Sequence, residues 1–565
     1  MRRIPQILIG ASASGGGKTT FTTGLLRLLR DRGLTVQPYK CGPDYIDTKY
    51  HEMASGRVSV NLDSWLASEE HLKQIYAKYA SDADVCVTEG VMGLFDGFEG
   101  MRGSSASIAA LLGIPVVLMV DARSTAYTVA AILYGFKHFY PAIRIAGAVF
   151  NQVASERHFS FLCQACEDVG VECFGYLPRL KELEVPSRHL GLTLDATYRF
   201  DEFAGKVAAS IRQSVDVDRL LRSCSSSMAS VVERQKAETI ASASVTELPK
   251  VETILAASVS EQAKTESIVS ASVAKQPKAG TIAASSVSEQ PKVETILAAS
   301  VSEQAKTESI ASASVVKQPK AGTIAASSVV EQPKAGSMAV LPSVGEQSNL
   351  ETIASASVEE VPNEEARCPK AGRMRIAVAR DAAFNFIYRE NLARLEEWGT
   401  VTFFSPMADE ALPEADFVYL PGGYPEFFLE SLANNESLKR GLRAYVEAGG
   451  RMLAECGGMM YLCDSIRGMD GKDYPMVGLL HQQATMEDMK LRLGYRTIRA
   501  GGQIWKGHEF HYSSVSPGQP PASIAVATDA RGNTVDTPLY RYKNLIAGYA
   551  HLYWGESDLM KLWEV

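Results

Sequence analysis

The sequence predicts an α/β protein of two domains separated by a low-complexity repeat, and three observations carry that prediction. Residues Ile7 to Thr20 read as a buried strand, a glycine-rich turn and the start of a helix. Short β-rich runs alternate with helical segments over the first 150 residues, and the pattern resumes at Met374. Between Ser223 and about Ala371 the composition turns abruptly to Ser, Ala, Val, Glu, Lys, Gln and Thr. The expected boundaries are therefore 1–223, 224–371 and 372–565.

With 565 residues, 46% of them apolar, the chain is long enough for more than one buried core. A net charge of −8 argues against a nucleic-acid partner. No run is long and apolar enough to span a bilayer, so no membrane association is expected. Residues 1–13 imitate a signal peptide, but the apolar stretch is short and cleavage at Ala11-Ser-Ala13 would destroy the turn that follows. Nine scattered cysteines suit a reducing compartment, and the expectation is a cytoplasmic protein. Cys163 and Cys166 form one C-x-x-C with Cys173 beyond it, a weak metal signal without a second pair.

The turn at Ser14-Gly-Gly-Gly-Lys-Thr-Thr20 is a phosphate cradle. Gly15, Gly16 and Gly17 let backbone N–H groups point inward, and the positive end of the helix starting near Lys18 adds charge in the same direction. Lys18 would reach the outer phosphates of a nucleotide, and Thr19 would hold Mg²⁺. Ser12 stands where the usual G-x-x-x-x-G-K-[ST] pattern has its first glycine.

A second strand over Leu34 to Lys40 delivers Gly42-Pro-Asp-Tyr-Ile-Asp47 to a strand end, where open α/β sheets bind ligands. Asp44 and Asp47, three apart, could aim both carboxylates at one metal or substrate; solvated turn acids are the alternative. A β-rich run from Asp84 ends in Glu89, where a carboxylate can hold Mg²⁺ opposite the phosphate cradle, and a glycine-rich turn follows to Asp96. Asn151, just after a strand, could read an adenine edge or cap a turn.

In the repeat, Lys236, Lys250, Lys264, Lys278, Lys292, Lys306, Lys320 and Lys334 mark a period of 14. Two heptads would fit that length, but aliphatics such as Ile254, Val259, Ile268 and Val273 smear around a helix. Pro249, Pro277, Pro291, Pro319 and Pro333 oppose one as well. A mainly disordered linker is expected.

In the second domain, Phe417 to Glu426 reads as a strand and a Gly422-Gly423 turn whose N–H groups could receive an anion. Gly450 to Tyr461 reads as strand, sharp turn and helix. Cys456 at that elbow is expected to be exposed, with its pKa lowered by the helix N-terminus and Gly457 allowing close approach. The candidate general bases are His481, His508, His511 and His551; the last follows an apolar run and can lie at a strand end facing Cys456. His508-Glu-Phe-His511 is one residue short of a zinc-helix spacing.

Together with the phosphate cradle, Gly42-Pro-Asp-Tyr-Ile-Asp47, Glu89-Gly-Val-Met-Gly-Leu-Phe-Asp96, Leu420-Pro-Gly-Gly-Tyr-Pro-Glu426, Ala454-Glu-Cys-Gly-Gly458 and Gly507-His-Glu-Phe-His-Tyr512 appear in order, and with them the chain resembles the cobyrinate a,c-diamide synthase family. The resemblance implies a P-loop NTPase-like, dethiobiotin-synthetase-like first domain and a class I glutaminase-like second domain. It implies ATP- and glutamine-dependent amidation of the corrinoid a and c acetates in cobalamin biosynthesis. Cys456 would be the nucleophile and His551 its base, with Gly422, Gly423 and Gly457 as oxyanion donors. Ser14 to Thr20 would hold ATP, Thr19 and Glu89 Mg²⁺, and Asp44, Asp47 and Asp96 would serve phosphoryl transfer. The implied partners are cobyrinate, glutamine and ATP, and a homodimer is allowed. Hydrogenobyrinate and nickel sirohydrochlorin are the alternative substrates. A reading of another class is an ATPase switch with an inactive glutaminase-like domain. Related triad glutaminases place a glutamate two residues after the histidine, where this chain has Tyr553, so the third member stays open.

Overall fold

The computed structural model describes residues 3–179, 200–227, 373–487, 489–516 and 518–564. Nearly all of the repeat linker expected over 224–371 lies outside the described residues. The two α/β domains belong to one compact unit.

The first domain begins with β1 (Arg3–Ala11), α1 (Lys18–Asp31), β2 (Val36–Cys41), α2 (Ile46–Ser55), β3 (Val60–Leu62), α3 (Glu69–Ala80) and β4 (Val85–Glu89). It continues through α4 (Ser105–Leu112), β5 (Val116–Asp121), α5 (Val129–Phe139), β6 (Ile145–Val153), α6 (Glu156–Val169), β7 (Cys173–Pro178), α7 (Phe200–Ser214), α8 (Val217–Ser223) and β8 (Ser225–Ser227). The strands order as β3-β2-β4-β1-β5-β6-β7, all parallel, with β8 antiparallel to the first residues of β1. The sheet therefore runs past the expected boundary at Ser223. Side chains of β1 alternate between its faces: Ile7, Ile9 and Ala11 pack with Phe21, Leu25 and Val207, whereas Ile4 and Leu8 pack with Leu72, Ile75 and Ile108. Helices cover both faces, so the carboxyl ends of β1, β2 and β4 meet at one rim.

The second domain opens with β9 (Met374–Ala379), α9 (Arg389–Trp398), β10 (Gly399–Phe404), β11 (Phe417–Leu420), α10 (Leu429–Asn434), α11 (Glu436–Glu447), β12 (Arg451–Glu455) and α12 (Gly457–Tyr461). Short strands β13 (Ser465–Arg467), β14 (Asp473–Pro475) and β15 (Gln483–Thr485) follow, then β16 (Arg492–Ala500), β17 (Gln503–His511), β18 (Ser514–Val515), β19 (Ala525–Thr528) and β20 (Thr534–Val535). The last strands are β21 (Leu539–Tyr542), β22 (Leu545–Gly548) and β23 (His551–Tyr553). Its main sheet has the order β10-β9-β11-β12-β22-β21, and a second sheet, β20-β19-β16-β17-β23, is antiparallel. One face of the main sheet packs Leu438, Leu442 and Val446 of α11; the other packs Trp505, Leu552 and Trp554 of the second sheet and the segment after it.

Candidate active sites

Strand β1 ends at Ala11, and the chain turns through exposed Ala13, Ser14 and Gly15 into buried Lys18 and Thr19, with Thr20 in the first turn of α1. Gly17, the residue before that helix, has φ +94°, and a Cβ there would lie 2.1 Å from Asn151 Nδ2. Asn151 donates to the Gly16 carbonyl at 3.2 Å and accepts from Gln152 N at 2.9 Å. It therefore clasps the loop from β6, which favours the turn-holding reading over adenine recognition. Lys18 Nζ reaches the Met92 carbonyl in the turn after β4, a residue with φ +48°.

Behind the loop lies an enclosed polar cluster. Thr19 Oγ1 donates to Glu89 Oε1 at 2.7 Å and reaches Asp47 Oδ2 at 3.4 Å. Lys40 Nζ sits 2.6 Å from Asp47 Oδ2 and 2.9 Å from Glu89 Oε1, and His51 Nε2 lies 2.7 Å from Glu89 Oε2. Burial alone would push the Glu89 carboxyl up, but the Lys40 charge and the His51 and Thr19 hydrogen bonds outweigh it and hold the group well below the carboxylate range. Burial opposes the Lys40 charge as well; Asp47 and Glu89 outweigh it and raise its pKa. Thr19, Asp47 and Glu89 converge as a set of hard oxygen donors, the chemistry that Mg²⁺ prefers.

Lys40 and His51 were not assigned a role from the sequence. His51 had a signal, since it lies four residues after Asp47 and so on the same face of α2. Lys40 had a weaker one, a cation one residue before the end of a strand whose other polar side chain is Gln37.

The two acids of the Gly42–Asp47 loop separate. Asp47 joins the cluster, whereas Asp44 Oδ1 accepts from the N–H groups of Ile46 and Asp47 at 2.8 and 2.9 Å and so starts α2. Asp96 Oδ2 accepts from Gly93 N at 2.9 Å and closes the turn that carries Met92.

In the second domain Cys456 sits between β12 and α12 with φ +47° and ψ −108°, the sharp elbow expected from its glycine-rich surroundings. Two expectations about it are corrected. The side chain is buried, 4% exposed, and burial, with Glu426 nearby, pushes the thiol pKa up rather than down. The Gly457 N–H pulls the other way, but α12 spans only five residues and its end cannot offset the loss of water.

The Gly422-Gly423 turn lies between Cys456 and His551. A Cβ on Gly422 would stand 2.1 Å from His551 Cε1, and one on Gly457 would stand 3.0 Å from Gly423 N. Asn385 N and Phe386 N both donate to the Gly422 carbonyl, which fixes the turn. The backbones of Gly423 and Gly457 thus approach closely beside the elbow.

His551 lies at a strand end, as the apolar run before it suggested. It opens β23 in the second sheet, directly across from His508 on β17. Burial, with His508 and His511 beside it, pushes His551 down to about 3, so the imidazole is neutral. His511 Nδ1 donates to the Ser513 carbonyl at 2.8 Å, and its ring stacks on Tyr549 at 3.7 Å. His481 is exposed and faces Asp464 at 3.5 Å, which removes it as a base for Cys456. The Gly422-Gly423 turn thus has the buried thiol of Cys456 near one side and the neutral imidazole of His551 near the other.

Elsewhere, Cys163 and Cys173 bring their sulfurs to 3.4 Å. Among the described residues no group of three or more His, Cys, Asp or Glu is placed to hold a metal ion, and no helix is long and apolar enough to cross a membrane.

Residues 7–192 match the family model of the CobQ/CobB/MinD/ParA nucleotide binding domain, and residues 375–559 match that of the CobB/CobQ-like glutamine amidotransferase domain. The cobyrinate a,c-diamide synthase of Caldanaerobacter subterraneus subsp. tengcongensis is 31% identical over 96% of this chain and 94% of its own. That of Picrophilus torridus is 31% identical over 98% and 96%. A hydrogenobyrinate a,c-diamide synthase of Pseudomonas aeruginosa is 30% identical over 98% and 95%. Both halves of the chain, each with its site, are thus matched along nearly their whole length, and the chain belongs to the cobyrinate a,c-diamide synthase family.

Proposed function

We propose that the chain amidates the a and c acetate side chains of cobyrinate, with ATP to activate each carboxylate and glutamine to supply the nitrogen. The observation that carries this reading is the presence, in one compact unit, of a phosphate cradle backed by the Thr19–Asp47–Glu89–Lys40 cluster and of a cysteine elbow beside a neutral histidine.

At the elbow, His551 takes the Cys456 proton, and the sulfur attacks the side-chain amide of glutamine. Gly423 and Gly457 N–H groups stabilise the oxyanion; the His551 imidazolium then gives its proton to the amide nitrogen as the C–N bond breaks, ammonia leaves, and water hydrolyses the glutamyl thioester to glutamate and the free thiol. At the cradle, the loop N–H groups and Lys18 hold the phosphates of ATP while a corrinoid carboxylate attacks the terminal phosphorus and ADP leaves. Ammonia then displaces phosphate from the acyl phosphate and forms the amide. Thr19, Glu89 and Asp47 would hold Mg²⁺, which supplies charge neutralisation when bound. Asp44 and Asp96, each with one oxygen engaged in a turn, keep the other for the phosphoryl-transfer site.

The free thiols of the eight described cysteines suit a reducing compartment, which supports a cytoplasmic enzyme acting on small molecules. The domains are read as 1–223 and 372–565, with β8 added to the first. Hydrogenobyrinate is the second substrate reading, because the relative that bears that name is as similar as the others. Mass spectrometry of products from cobyrinate, hydrogenobyrinate and nickel sirohydrochlorin, each with glutamine and Mg·ATP, tests it. Two amidations of cobyrinate are expected; none on any of the three would overturn the assignment.

A further inference from the structure

We propose that the first domain positions the glutaminase base: Tyr45 packs against the His551 ring and His71 tethers Tyr553, so that β23 is set for catalysis from outside its own domain. The inference rests on the function proposed above.

Strand β23 is three residues long and lies at the edge of its sheet, paired on one side to Lys506–His508 of β17. So short an edge strand is not held by its ladder alone. Within its own domain the supports reach the backbone around its middle residue. Glu455 Oε1 accepts from Leu552 N at 2.9 Å, Asn391 Nδ2 donates to the Leu552 carbonyl at 2.8 Å, and Asn391 Oδ1 accepts from Trp554 N at 2.9 Å. The Leu552 side chain goes into the core of the second domain.

His551 and Tyr553 point to the opposite face by the alternation of a strand. That face meets the first domain. The Tyr45 ring lies 5.0 Å from the His551 ring and is stacked on Phe386 at 5.1 Å and 6°. Tyr553 OH lies 2.9 Å from His71 Nε2 on α3, and the same helix end binds the next turn of chain, where Glu556 Oε2 accepts from Ser68 N at 2.7 Å.

A histidine base needs its ring fixed, commonly by an acceptor for its second nitrogen. His551 Nδ1 is buried and has no hydrogen-bond partner among the described residues. Orientation must then come from packing and from the strand itself: the His551 ring meets Tyr45, Phe386 and the Gly422 turn, and the Tyr553 ring meets Tyr388 while its hydroxyl is bonded to His71, so Tyr45 and His71 are the first domain's share of that support. Tyr45 stands between Asp44 and Asp47, so the support of the base is continuous with the loop that serves amidation. Tyr45 and His71 are positioning residues; neither touches a reacting atom of glutamine in this scheme.

The full-length chain is tested as wild type, His71→Ala, Tyr553→Phe, their double variant, Tyr45→Ala and Tyr45→Phe. Glutamine hydrolysis and ammonium-supported amidation are measured, with thermal melts to verify folding. His71→Ala and Tyr553→Phe should each lower kcat for glutamine hydrolysis about tenfold with KM within about twofold, because a misplaced base costs the reaction and not binding. The double variant should lose no more than either single change, because both remove one bond. Tyr45→Ala should fall as His71→Ala does, and Tyr45→Phe, which keeps the ring, should restore the rate. Ammonium-supported amidation by His71→Ala and Tyr553→Phe should stay within about twofold of wild type. Unchanged kcat in the folded single variants, additive losses, or equal loss with ammonium would each overturn the inference. A wild-type chain that hydrolyses no glutamine would instead overturn the proposed function.

Discussion

Lys40 and Asp47 form an ion pair at 2.6 Å with both side chains almost wholly enclosed, and Glu89 shares the same ammonium at 2.9 Å. Two carboxylates and one cation out of water hold together only as a set, because each charge offsets the desolvation of the others.

Lys40→Met should therefore cost about 3–5 kcal/mol, the usual result of stranding a buried partner. Urea unfolding measures it. Amidation should be lost with either nitrogen source while glutamine hydrolysis continues. A variant as stable and as active as wild type would mean that Asp47 and Glu89 are already protonated or hydrated.

Asp44 and Asp47 differ in what an amide can replace. Asp44→Asn keeps an oxygen for the Ile46 and Asp47 N–H groups, so its melting temperature should hardly move, whereas Asp47→Asn loses charge opposite Lys40 and should melt lower. Both should lower amidation by about tenfold or more with glutamine or ammonium, and both should still hydrolyse glutamine. Wild-type amidation rates at saturating Mg·ATP in both variants would reduce these acids to turn-formers.

Cys456→Ala should abolish amidation from glutamine and leave amidation from ammonium intact, since the thiol serves only to release nitrogen. His551→Ala should behave likewise. Steady-state rates with the two nitrogen sources decide it; equal loss with both would show that the two chemistries share a site.

Burial, reinforced by the Arg496 charge and only partly opposed by Asp44, pushes His508 down to about 3. Its folded value lies below the unfolded one of about 6.5, so the unfolded chain takes up the proton first. That contribution to stability is complete above about pH 6.5 and is lost as pH falls toward 3. His508→Gln removes the linkage and should gain on wild type by about 1.4 kcal/mol per pH unit below about pH 6.5. Urea titrations of both proteins at neutral pH and near pH 5 measure the difference; a gap independent of pH would mean that His508 charges freely in the fold.

Replacing residues 228–372 with a Gly/Ser linker of about 40 residues, whose r.m.s. span is roughly 35 Å, should leave turnover nearly intact. The repeats lack aromatic residues and a consistent apolar face, so they offer little to a core. Loss of activity in a chain whose two domains remain soluble and folded would assign them a structural part.

The phosphate cradle was legible because its signal is local: strand, three glycines, lysine and helix are contiguous. The Cys456 elbow was legible for the same reason. The chemistry of Cys456 was not, because a rule about helix ends lost to burial in the folded domain and to the charge of Glu426, thirty residues earlier in the chain. The strand end at His551 was legible, but its sheet was not, because an apolar run announces a strand and not its partner; β22 ends at Gly548, and the chain changes sheets within two residues. His51 carried only its helical spacing from Asp47 and Lys40 only its place near a strand end, and both needed the tertiary contact with Glu89 to acquire meaning. The meeting of Tyr45 with His551 joins opposite ends of the chain, and no local pattern encodes it.

Strand β8 lies antiparallel on Arg3–Pro5, the end of β1 farthest from the phosphate loop. Nine residues of strand, about 30 Å, separate that end from the nucleotide cradle. The first domain has thus closed on its own beginning before the chain leaves it, and the exit points away from the chemistry. The described chain leaves the first domain at Ser227, opposite the cradle, so a change in the number of 14-residue units beyond it alters the length of the chain and none of the strands that carry the first domain's site.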